Sequence, residues 1–339
     1  MRTTQPVPPA LSDHTWRSLR LDDAPALHQL ELECVPRDGG TNLSTAEQYR
    51  KKLQGAGEEL TTDTLCASDS AGRLAAGVWV SCDVHLKHEY RAFLDGRVHP
   101  DYRGRGWGSL LLLWMEARAC EILSALEEDR PAMLRVDFYD RSTDAVELLE
   151  KHGFRLSLAE DTMRRDLSHA LPAVQLPEGM TLVPWSEQRA TEFFEAYQDS
   201  FRERPGFPGW SEETWRHNLT DYPDFRADLS LLAMEGAEGV GFAICHVENE
   251  GDPKSEGTGW VSQMGVRPAW RKRGVGGALL SEVMCRFQAG GLGWAALEVS
   301  TENPRALRVY QQLGFERYKR RTSYQKPAVQ GCRNGGGSS

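Results

Sequence analysis

The sequence predicts an α/β protein made of two copies of one fold in tandem, each copy a mixed sheet with helices packed on it. Three observations lead there. A basic, glycine-containing loop occurs twice, as Val98-His-Pro-Asp-Tyr-Arg-Gly-Arg-Gly-Trp-Gly108 and as Val266-Arg-Pro-Ala-Trp-Arg-Lys-Arg-Gly-Val-Gly276. Each version has Pro two residues after its Val, an aromatic two residues later, Arg next, and Gly-x-Gly at the close. A Gly-Phe pair then ends an amphipathic helix in each half, at Gly153-Phe154 and Gly314-Phe315. Finally, both halves run from alternating strand and turn into strand-helix-strand-helix, the order of a mixed sheet. Recurrence of the whole series marks a duplication rather than two unrelated domains.

In chain order, short strands over Thr15–Leu19 and Thr181–Pro184 open the two halves, each leading into a helix of mixed acidic and apolar residues. First-half strands are expected near Leu65–Ser68, Leu74–Ser81, Arg91–Val98 and Ala132–Phe138, with a helix over Ser109–Leu123. The second half repeats the order with strands Leu229–Met234, Val240–Val247, Trp260–Val266 and Trp294–Ser300. Its helices are expected over Gly277–Gln288 and Pro304–Leu313, followed by short strands to Tyr324. The expected domains are 1–166 and 180–326, with 167–179 as a linker containing two prolines. The tail 327–339 ends in Gly-Gly-Gly-Ser-Ser and is expected to be disordered.

Composition bounds the function classes. A chain of 339 residues fits two domains of roughly 150 residues each. Mean hydropathy is −0.52 and the longest apolar run is Leu110–Met115, far short of the roughly 20 residues a membrane-spanning helix needs. Met1–Ala10 carries Thr, Gln and three prolines where a signal peptide has an apolar core. Seven cysteines without close pairs read as reduced thiols, so a cytoplasmic protein is expected. The net charge of −9 argues against nucleic-acid binding and suits a cationic substrate slightly better than an anionic one.

Each glycine loop lies between a strand and a helix start. Glycines let the backbone turn with its amides inward, the helix dipole adds partial positive charge, and flanking Arg and Lys supply more. Such a loop binds phosphate oxygens, and three phosphate-binding readings compete. A dinucleotide loop needs a third glycine, where Leu279 and Ser109 stand. A P-loop needs Gly-Lys-Ser/Thr, which neither loop has. An acyl-CoA loop, Arg/Gln-x-x-Gly-x-Gly/Ala, matches both. A turn that only caps a helix is the plain alternative, and its recurrence in equivalent context counts against it.

Here the residues carry a resemblance. The stretch Leu297-Glu-Val-Ser-Thr-Glu-Asn-Pro-Arg-Ala-Leu-Arg-Val-Tyr-Gln-Gln-Leu-Gly-Phe315 resembles the second motif of the GNAT family of N-acetyltransferases, with Asn, Ala, Tyr and Gly-Phe at that family's spacing. The chain is similar to tandem GNAT proteins over about 15–166 and 180–324, and its run also resembles a tandem acetyltransferase of antibiotic biosynthesis. The resemblance implies a mostly antiparallel sheet in each half, with its fourth and fifth strands splayed apart. An acyl-CoA arm would enter that gap and pair with the strand edge at Met264, Gly265 and Val266, whose amides polarise the thioester. Arg271, Lys272, Arg273, Gly274, Val275, Gly276 and Gly277 would take the pyrophosphate. Asn303 would contact the CoA arm, although it also reads as a helix N-cap before Pro304. Tyr310 would serve the departing thiolate as acid or hydrogen-bond donor. Glu298 would be the base for the amine. A sheet carboxylate paired with Arg is an equal reading for it, and His246 and Glu248 are alternatives acting through water.

By the same resemblance the first half keeps the CoA elements: Gly96, Arg97 and Val98 on the strand, then Arg103, Gly104, Arg105, Gly106, Trp107, Gly108 and Ser109 in the loop. It departs elsewhere, with Leu149 at the position of Tyr310, Ser142 at that of Asn303 and Asp137 at that of Glu298. Tyr139 lies nearby in sequence, but a position on the strand does not by itself bring a side chain to the sulfur. A first half that binds acyl-CoA structurally without turning it over is expected, with a half that binds no CoA as the alternative.

Other clusters read blandly. Cys82-x-x-His85-x-x-His88 falls in a polar turn with Asp83 and Lys87 and reads as a solvated loop, so no metal is expected. Cys245 reads as a buried small residue. The segment Phe201–Trp215, with Pro205, Pro208, Trp210 and Trp215, either lines an acceptor pocket or caps the core. The expected activity is acyl transfer from acetyl-CoA or another acyl-CoA to a small-molecule amine, by a monomer or weak dimer with no nucleic-acid or membrane partner. A protein or peptide amine as acceptor, and a non-catalytic acyl-CoA sensor, are the rival readings.

Overall fold

A computed structural model describes residues 14–38, 43–84, 86, 89–126, 130–139, 143–204, 207, 209–222, 224–248 and 257–328. The chain divides into two units, one formed by 1–159 together with 321–339 and the other by 160–320. In order, the first stretch carries β1 (Thr15–Arg17), α1 (Ala24–Asp38), α2 (Ala46–Gly55), α3 (Glu59–Thr62), β2 (Thr64–Ser68), β3 (Leu74–Asp83), β4 (Tyr90–Val98), α4 (Trp107–Ser124), β5 (Ala132–Tyr139), α5 (Thr143–Lys151) and β6 (Arg155–Asp166). Then follow β7 (Met180–Pro184), α6 (Ala190–Phe201), α7 (Glu212–Leu219), β8 (Leu231–Glu235), β9 (Glu238–Glu248), β10 (Thr258–Val266), α8 (Val275–Ala289), β11 (Trp294–Ser300), α9 (Pro304–Gln312) and β12 (Glu316–Pro327).

Within unit 1, antiparallel β1, β2, β3 and β4 lie side by side, and β5 joins β4 in parallel. Unit 2 repeats this as β7, β8, β9 and β10 antiparallel, with β11 parallel to β10. Each sheet is apolar on both faces because helices cover both. In unit 1, Leu111, Leu112 and Met115 of α4 pack on one face, while Leu27 and Leu30 of α1 with Tyr49 and Leu53 of α2 pack on the other. In unit 2, Leu279, Val283 and Phe287 of α8 meet Cys245, Val261 and Leu297. Phe193, Tyr197 and Trp215 of α6 and α7 meet Phe242 and Ile244 on the opposite face. Burial at about 25 cal/mol per Å² of apolar surface makes these faces the main source of stability.

The outermost strand of each sheet differs from the simple sequence reading. The short strands expected up to Tyr324 form one strand, β12, and its residues Arg321–Pro327 pair antiparallel with β5 in unit 1. The last seven residues of β6 pair with β11 in unit 2, from Glu160 opposite Ser300 to Asp166 opposite Trp294. The outermost strand of unit 1 is therefore supplied by 321–327, after unit 2 in the chain, and that of unit 2 by its own first residues, 160–166.

Residues 167–179 form no regular element, yet they are not a free connector. Leu167 is buried in the unit 2 core, its N–H donates to the Gly293 carbonyl at 2.9 Å, and Ser281 Oγ donates to the Pro172 carbonyl at 2.7 Å. Pro327 ends β12, and the Ala328 N–H donates to the Ala132 carbonyl at 2.8 Å. The segment expected to be disordered is thus ordered at its first two residues, and 329–339 lie outside the described residues. Cys34, Cys66, Cys82, Cys245 and Cys285 are free, but Cys120 is disulfide-bonded, an exception to the reading of all seven as reduced thiols. Among the described residues no helix is long and apolar enough to cross a membrane.

Removal of residues 321–339 takes away the antiparallel partner of β5. Hydrogen exchange of the β5 amides should accelerate about tenfold or more, equivalent to ~1.4 kcal/mol of local stability, while β9 amides keep their protection. Unchanged β5 exchange would show that the strand does not depend on its partner.

Candidate functional site

The site starts from a ladder that stops early. Strand β10 pairs with β11 only from Thr258 opposite Trp294 to Val261 opposite Leu297, although both strands continue. On its other side β10 stays paired with β9 as far as Val266, and β11 stays paired with β6 along its whole length. A gap therefore opens between β10 and β11 after Val261. The same happens in unit 1, where β4 and β5 pair only from Tyr90 opposite Ala132 to Phe93 opposite Arg135. Backbone groups along an unpaired strand edge are strong donors and acceptors in want of a partner, and an extended chain can supply one. The splay expected of each half is present in each unit.

At the mouth of the unit 2 gap the strand carries a bulge. The β9 register shifts between Val261 and Gln263, leaving Ser262 as the extra residue. Unit 1 has no such shift between β3 and β4. Faces follow from the packing: Val261, Leu297 and Val299 lie in the α8-side core, so Glu298 points to the α6/α7 side. Ser262 Oγ lies 2.7 Å from His246 Nδ1, and Trp215 Nε1 donates to Gln263 Oε1 at 3.0 Å, so both side chains also face the α7 side.

Above the open edge sits the basic loop. Gly106 and Gly274 are the N-caps of α4 and α8, with φ of 85° and 87°. A Cβ at either would meet nothing within 4 Å, so the left-handed backbone rather than crowding calls for glycine there. Neither helix has a side-chain cap, and the first-turn amides of Trp107, Gly108, Ser109 and of Val275, Gly276, Gly277 are the orphan donors of any helix start. Two residues before each cap the backbone is left-handed again, at Gly104 (φ 74°) and at Lys272 (φ 65°). A lysine in that region stores on the order of 1–2 kcal/mol of strain.

The two leading arginines of the loops hold the loop itself. Arg103 Nε donates to the Val98 carbonyl at 2.9 Å and its two terminal nitrogens grip Asp38 at 2.5 and 2.7 Å. Arg271 Nε donates to the Val266 carbonyl at 3.1 Å and a terminal nitrogen donates to the Ser200 carbonyl at 2.9 Å. The second basic residues differ in setting. Arg105, Lys272 and Arg273 are exposed, with the Arg273 guanidinium 4.6 Å from the Trp270 ring centre and that of Arg105 5.6 Å from Tyr102. On the strands, Arg97 is bound through its side chain to Glu31 at 2.6 Å, whereas Gly265 passes so close to α6 that a Cβ would lie 2.6 Å from Ser200 Cβ. A Cβ at Gly96 would lie 2.4 Å from Val78 Cγ1. Met264 and Val266 border the α8-side core, and Val98 borders that of unit 1.

Chemically reactive groups gather in unit 2. Tyr310 is buried on α9 in the α8-side core, and burial pushes its hydroxyl up to about 12. Asn303 is spent as a helix cap, its Oδ1 accepting from Ala306 N–H at 3.1 Å. His246 is held at both ends, with Nε2 2.8 Å from the Leu219 carbonyl, and burial lowers its pKa. Glu248 Oε2 accepts from Trp260 Nε1 at 2.8 Å. Trp215, from the segment read as pocket lining or core cap, is fully buried in the core, and Pro205 and Pro208 lie outside the described residues. Cys245 is fully buried, as expected.

Unit 1 differs at the equivalent positions among its described residues. Leu149 is buried at the position of Tyr310. Asp137 accepts from Arg135 Nε at 2.8 Å and from Arg321 at 3.4 Å, and Arg97, Glu31 and Tyr49 form a second ionic cluster. Ser142 lies outside the described residues, as do His85 and His88 of the Cys82 spacing. Among the described residues no group of three or more His, Cys, Asp and Glu side chains is placed to hold a metal ion. Ser262 was not legible in the sequence as a site residue, because a bulge has no residue signature there.

Residues 190–315 match the model of the acetyltransferase (GNAT) family. Over 232 residues the chain is 30% identical to the mycothiol acetyltransferase of Thermomonospora curvata, covering 68% of this chain and 72% of that one. The structure is similar to the GCN5-related N-acetyltransferase from Sphaerobacter thermophilus, with a TM-score of 0.79, 26% identity, and coverage of 94% of this chain and 96% of that one. It also shares its fold with a tandem GNAT protein from the clavulanic acid biosynthesis pathway, at a TM-score of 0.64, 18% identity, and coverage of 94% and 99%.

Arg103→Lys and Arg271→Lys keep the charge of each loop but lose the forked grip on the strand end. Each should lower unfolding free energy by about 1–3 kcal/mol in denaturant titrations. Lys272→Ala, which removes charge without breaking a tether, should lie within about 0.5 kcal/mol of the parent.

Proposed function

The chain belongs to the GNAT family of acetyltransferases, and from that premise we propose that unit 2 transfers an acetyl or related acyl group from acyl-CoA to the amine of a small molecule. The observation that carries this reading is the open edge of β10 between a bulge and an uncapped helix start. That geometry suits an extended pantetheine arm ending in phosphates: Met264–Val266 would pair with the arm, and Lys272, Arg273 and the amides of Val275–Gly277 would hold the pyrophosphate. Asn303, already capping α9 just beyond the end of β11, would contact the arm. When bound, the acyl-CoA supplies an activated thioester.

The chain's own residues then divide the chemistry by face. Tyr310 approaches from the α8 side and donates a hydrogen bond to the sulfur as it departs. Its raised pKa, above the roughly 8.5 of an ordinary thiol, keeps the proton on the tyrosine for most of the cycle. Glu298, on the α6/α7 side, draws in the acceptor ammonium and takes the proton that must leave before the nitrogen can attack. The backbone edge of β10 supplies donors to the developing oxyanion.

Unit 1 is read as an acyl-CoA-binding unit without turnover. Its gap and loop support binding. Leu149 has no proton to give, and Asp137 is already engaged by two arginines. A bound ligand there stabilises the fold by mass action. The acceptor class is supported by the relative named for mycothiol, so deacetylated mycothiol heads the acceptors to test, followed by L-cysteinamide and glucosamine. The likeness to the clavulanic acid pathway protein is one of fold, and the reading takes nothing else from it.

Tyr310→Phe should lower kcat about 10- to 100-fold, the worth of a hydrogen bond to a charged group, with KM for acetyl-CoA unchanged. An unchanged kcat would remove Tyr310 from the mechanism. Native mass spectrometry with acetyl-CoA should show one slowly exchanging and one readily exchanging ligand. Gly106→Glu should remove the first and Gly274→Glu the second, while no bound CoA at all would sink the reading.

A further inference from the structure

We propose that Ser262 and His246 form a proton relay that accepts a proton from the acceptor nitrogen while the new N–C bond forms. The inference rests on the reading of unit 2 as an N-acyltransferase and goes beyond it by giving a role to a serine that only the bulge brings into place.

Position comes first. Val261 and Leu297 are the last paired residues of β10 and β11. Ser262 and Glu298 come next on their strands, and both project to the α6/α7 side of the sheet. They flank the mouth of the gap on one face, while Tyr310 belongs to the other. An acceptor approaching from the α7 side therefore meets Ser262 and Glu298, and the leaving sulfur meets Tyr310. Ser262 is exposed, so its hydroxyl is open to an incoming group.

Direction follows from the histidine. The Leu219 carbonyl oxygen, 2.8 Å from His246 Nε2, can only accept, so Nε2 carries the hydrogen. In the neutral ring Nδ1 is then an acceptor, and the Ser262 hydroxyl at 2.7 Å donates to it. The lone pairs of Ser262 Oγ are then left to accept, on a residue that is exposed. The bonds run one way, from Ser262 O–H to His246 Nδ1 and from His246 Nε2–H to the Leu219 carbonyl. A proton pushed onto Ser262 passes its own proton to the ring, and the Leu219 carbonyl steadies the imidazolium. Burial keeps the ring neutral at rest, and Asp224 is the nearby carboxylate that favours its charged form. The Tyr222 ring lies 6.4 Å from the imidazole, Phe225 lies 5.9 Å from it, and Glu248 is held on Trp260 of the adjoining strand.

The balance needs two proton acceptors, and the mouth holds two. The ammonium gives its first proton to Glu298. The neutral nitrogen then donates its lone pair to the thioester carbonyl carbon, and its second proton goes to Ser262 Oγ as the serine proton moves to His246 Nδ1. The C–S electron pair leaves with the sulfur, which Tyr310 holds by a hydrogen bond. Glu298 and His246 return their protons to solvent or to the thiolate. No oxidant, reductant or further reactant enters.

The test uses the full chain with acetyl-CoA and deacetylated mycothiol, L-cysteinamide or glucosamine, comparing wild type with Ser262→Ala and His246→Gln. Glutamine keeps an amide donor for the Leu219 carbonyl. Ser262→Ala should lower kcat about 100-fold with KM for acetyl-CoA unchanged. The wild-type rate should fall with acidification as the ring, held below the ordinary imidazole pKa by burial, takes a proton at Nδ1 and can no longer accept; in His246→Gln this imidazole step should be gone from the profile, leaving only the fall due to Glu298. Nitrogen-15 NMR of the resting protein should find His246 protonated at Nε2 and bare at Nδ1. A ring protonated at Nδ1, or a Ser262→Ala protein with the wild-type rate and acid limb, overturns the relay while leaving the acyltransferase reading in place. A wild-type protein that acylates none of the three amines overturns that reading and the relay with it.

Discussion

The parallel contact between β10 and β11 holds for four residue pairs and then lets go, and the rest of unit 2 is arranged around that release. Peptide groups seldom go unpaired in a folded chain, so a half-open edge inside a sheet has to be held apart by something. Here β6 holds β11 on its far side and β9 holds β10, so neither strand can drift to close the gap. The Arg271 side chain anchors the end of β10 to the loop and to α6, which fixes where the open edge meets the start of α8. Bulge, loop and helix start make sense together only as the walls of that opening.

Most of this arrangement could be read from residues. Alternating apolar patterns place β8, β9, β10 and β11 within two residues, and the family resemblance implied the two gaps. Helix α9 was marked by Asn303 and Pro304, and the N-cap bond to Ala306 is the interaction their order implies. What escaped was non-local. Nothing in Glu316–Pro327 announces that its second part closes the sheet of the first unit, because strand propensity specifies extension but not a partner. Arg103 and Arg271 look like phosphate ligands in a string of basic residues. Only their distances to Val98 and Val266 show them holding strand to loop. The bulge at Ser262 was invisible for a related reason, since it is a property of register between two strands.

The duplication has diverged where chemistry is concerned and persisted where shape is concerned. Both units keep the early end of the parallel ladder, the left-handed cap glycine and the arginine that ties loop to strand. Around the unit 1 gap, polar groups satisfy one another: Arg135 and Arg321 surround Asp137, and Arg97 is drawn to Glu31. Partly buried ionic clusters of this kind hold shape at a cost in desolvation and tie their carboxylates to arginines. Unit 2 instead sets a serine hydrogen-bonded to a histidine at the mouth of its gap, with Glu298 next along β11 on the same face, a setting in which small changes of charge alter reactivity.

The provenance of the outermost strands has a consequence for how the chain is made. Unit 2 is contiguous, from 160 to 320, and contains all of its own sheet once that stretch has left the ribosome. Unit 1 is begun before unit 2 but completed after it, since β5 waits for Arg321–Pro327, which follow the whole of unit 2. Domains ordinarily mature from the N-terminus onward during synthesis. Here that order is inverted: the earlier-born half keeps an exposed strand edge while all of unit 2 is made, and only the residues that follow unit 2 seal it.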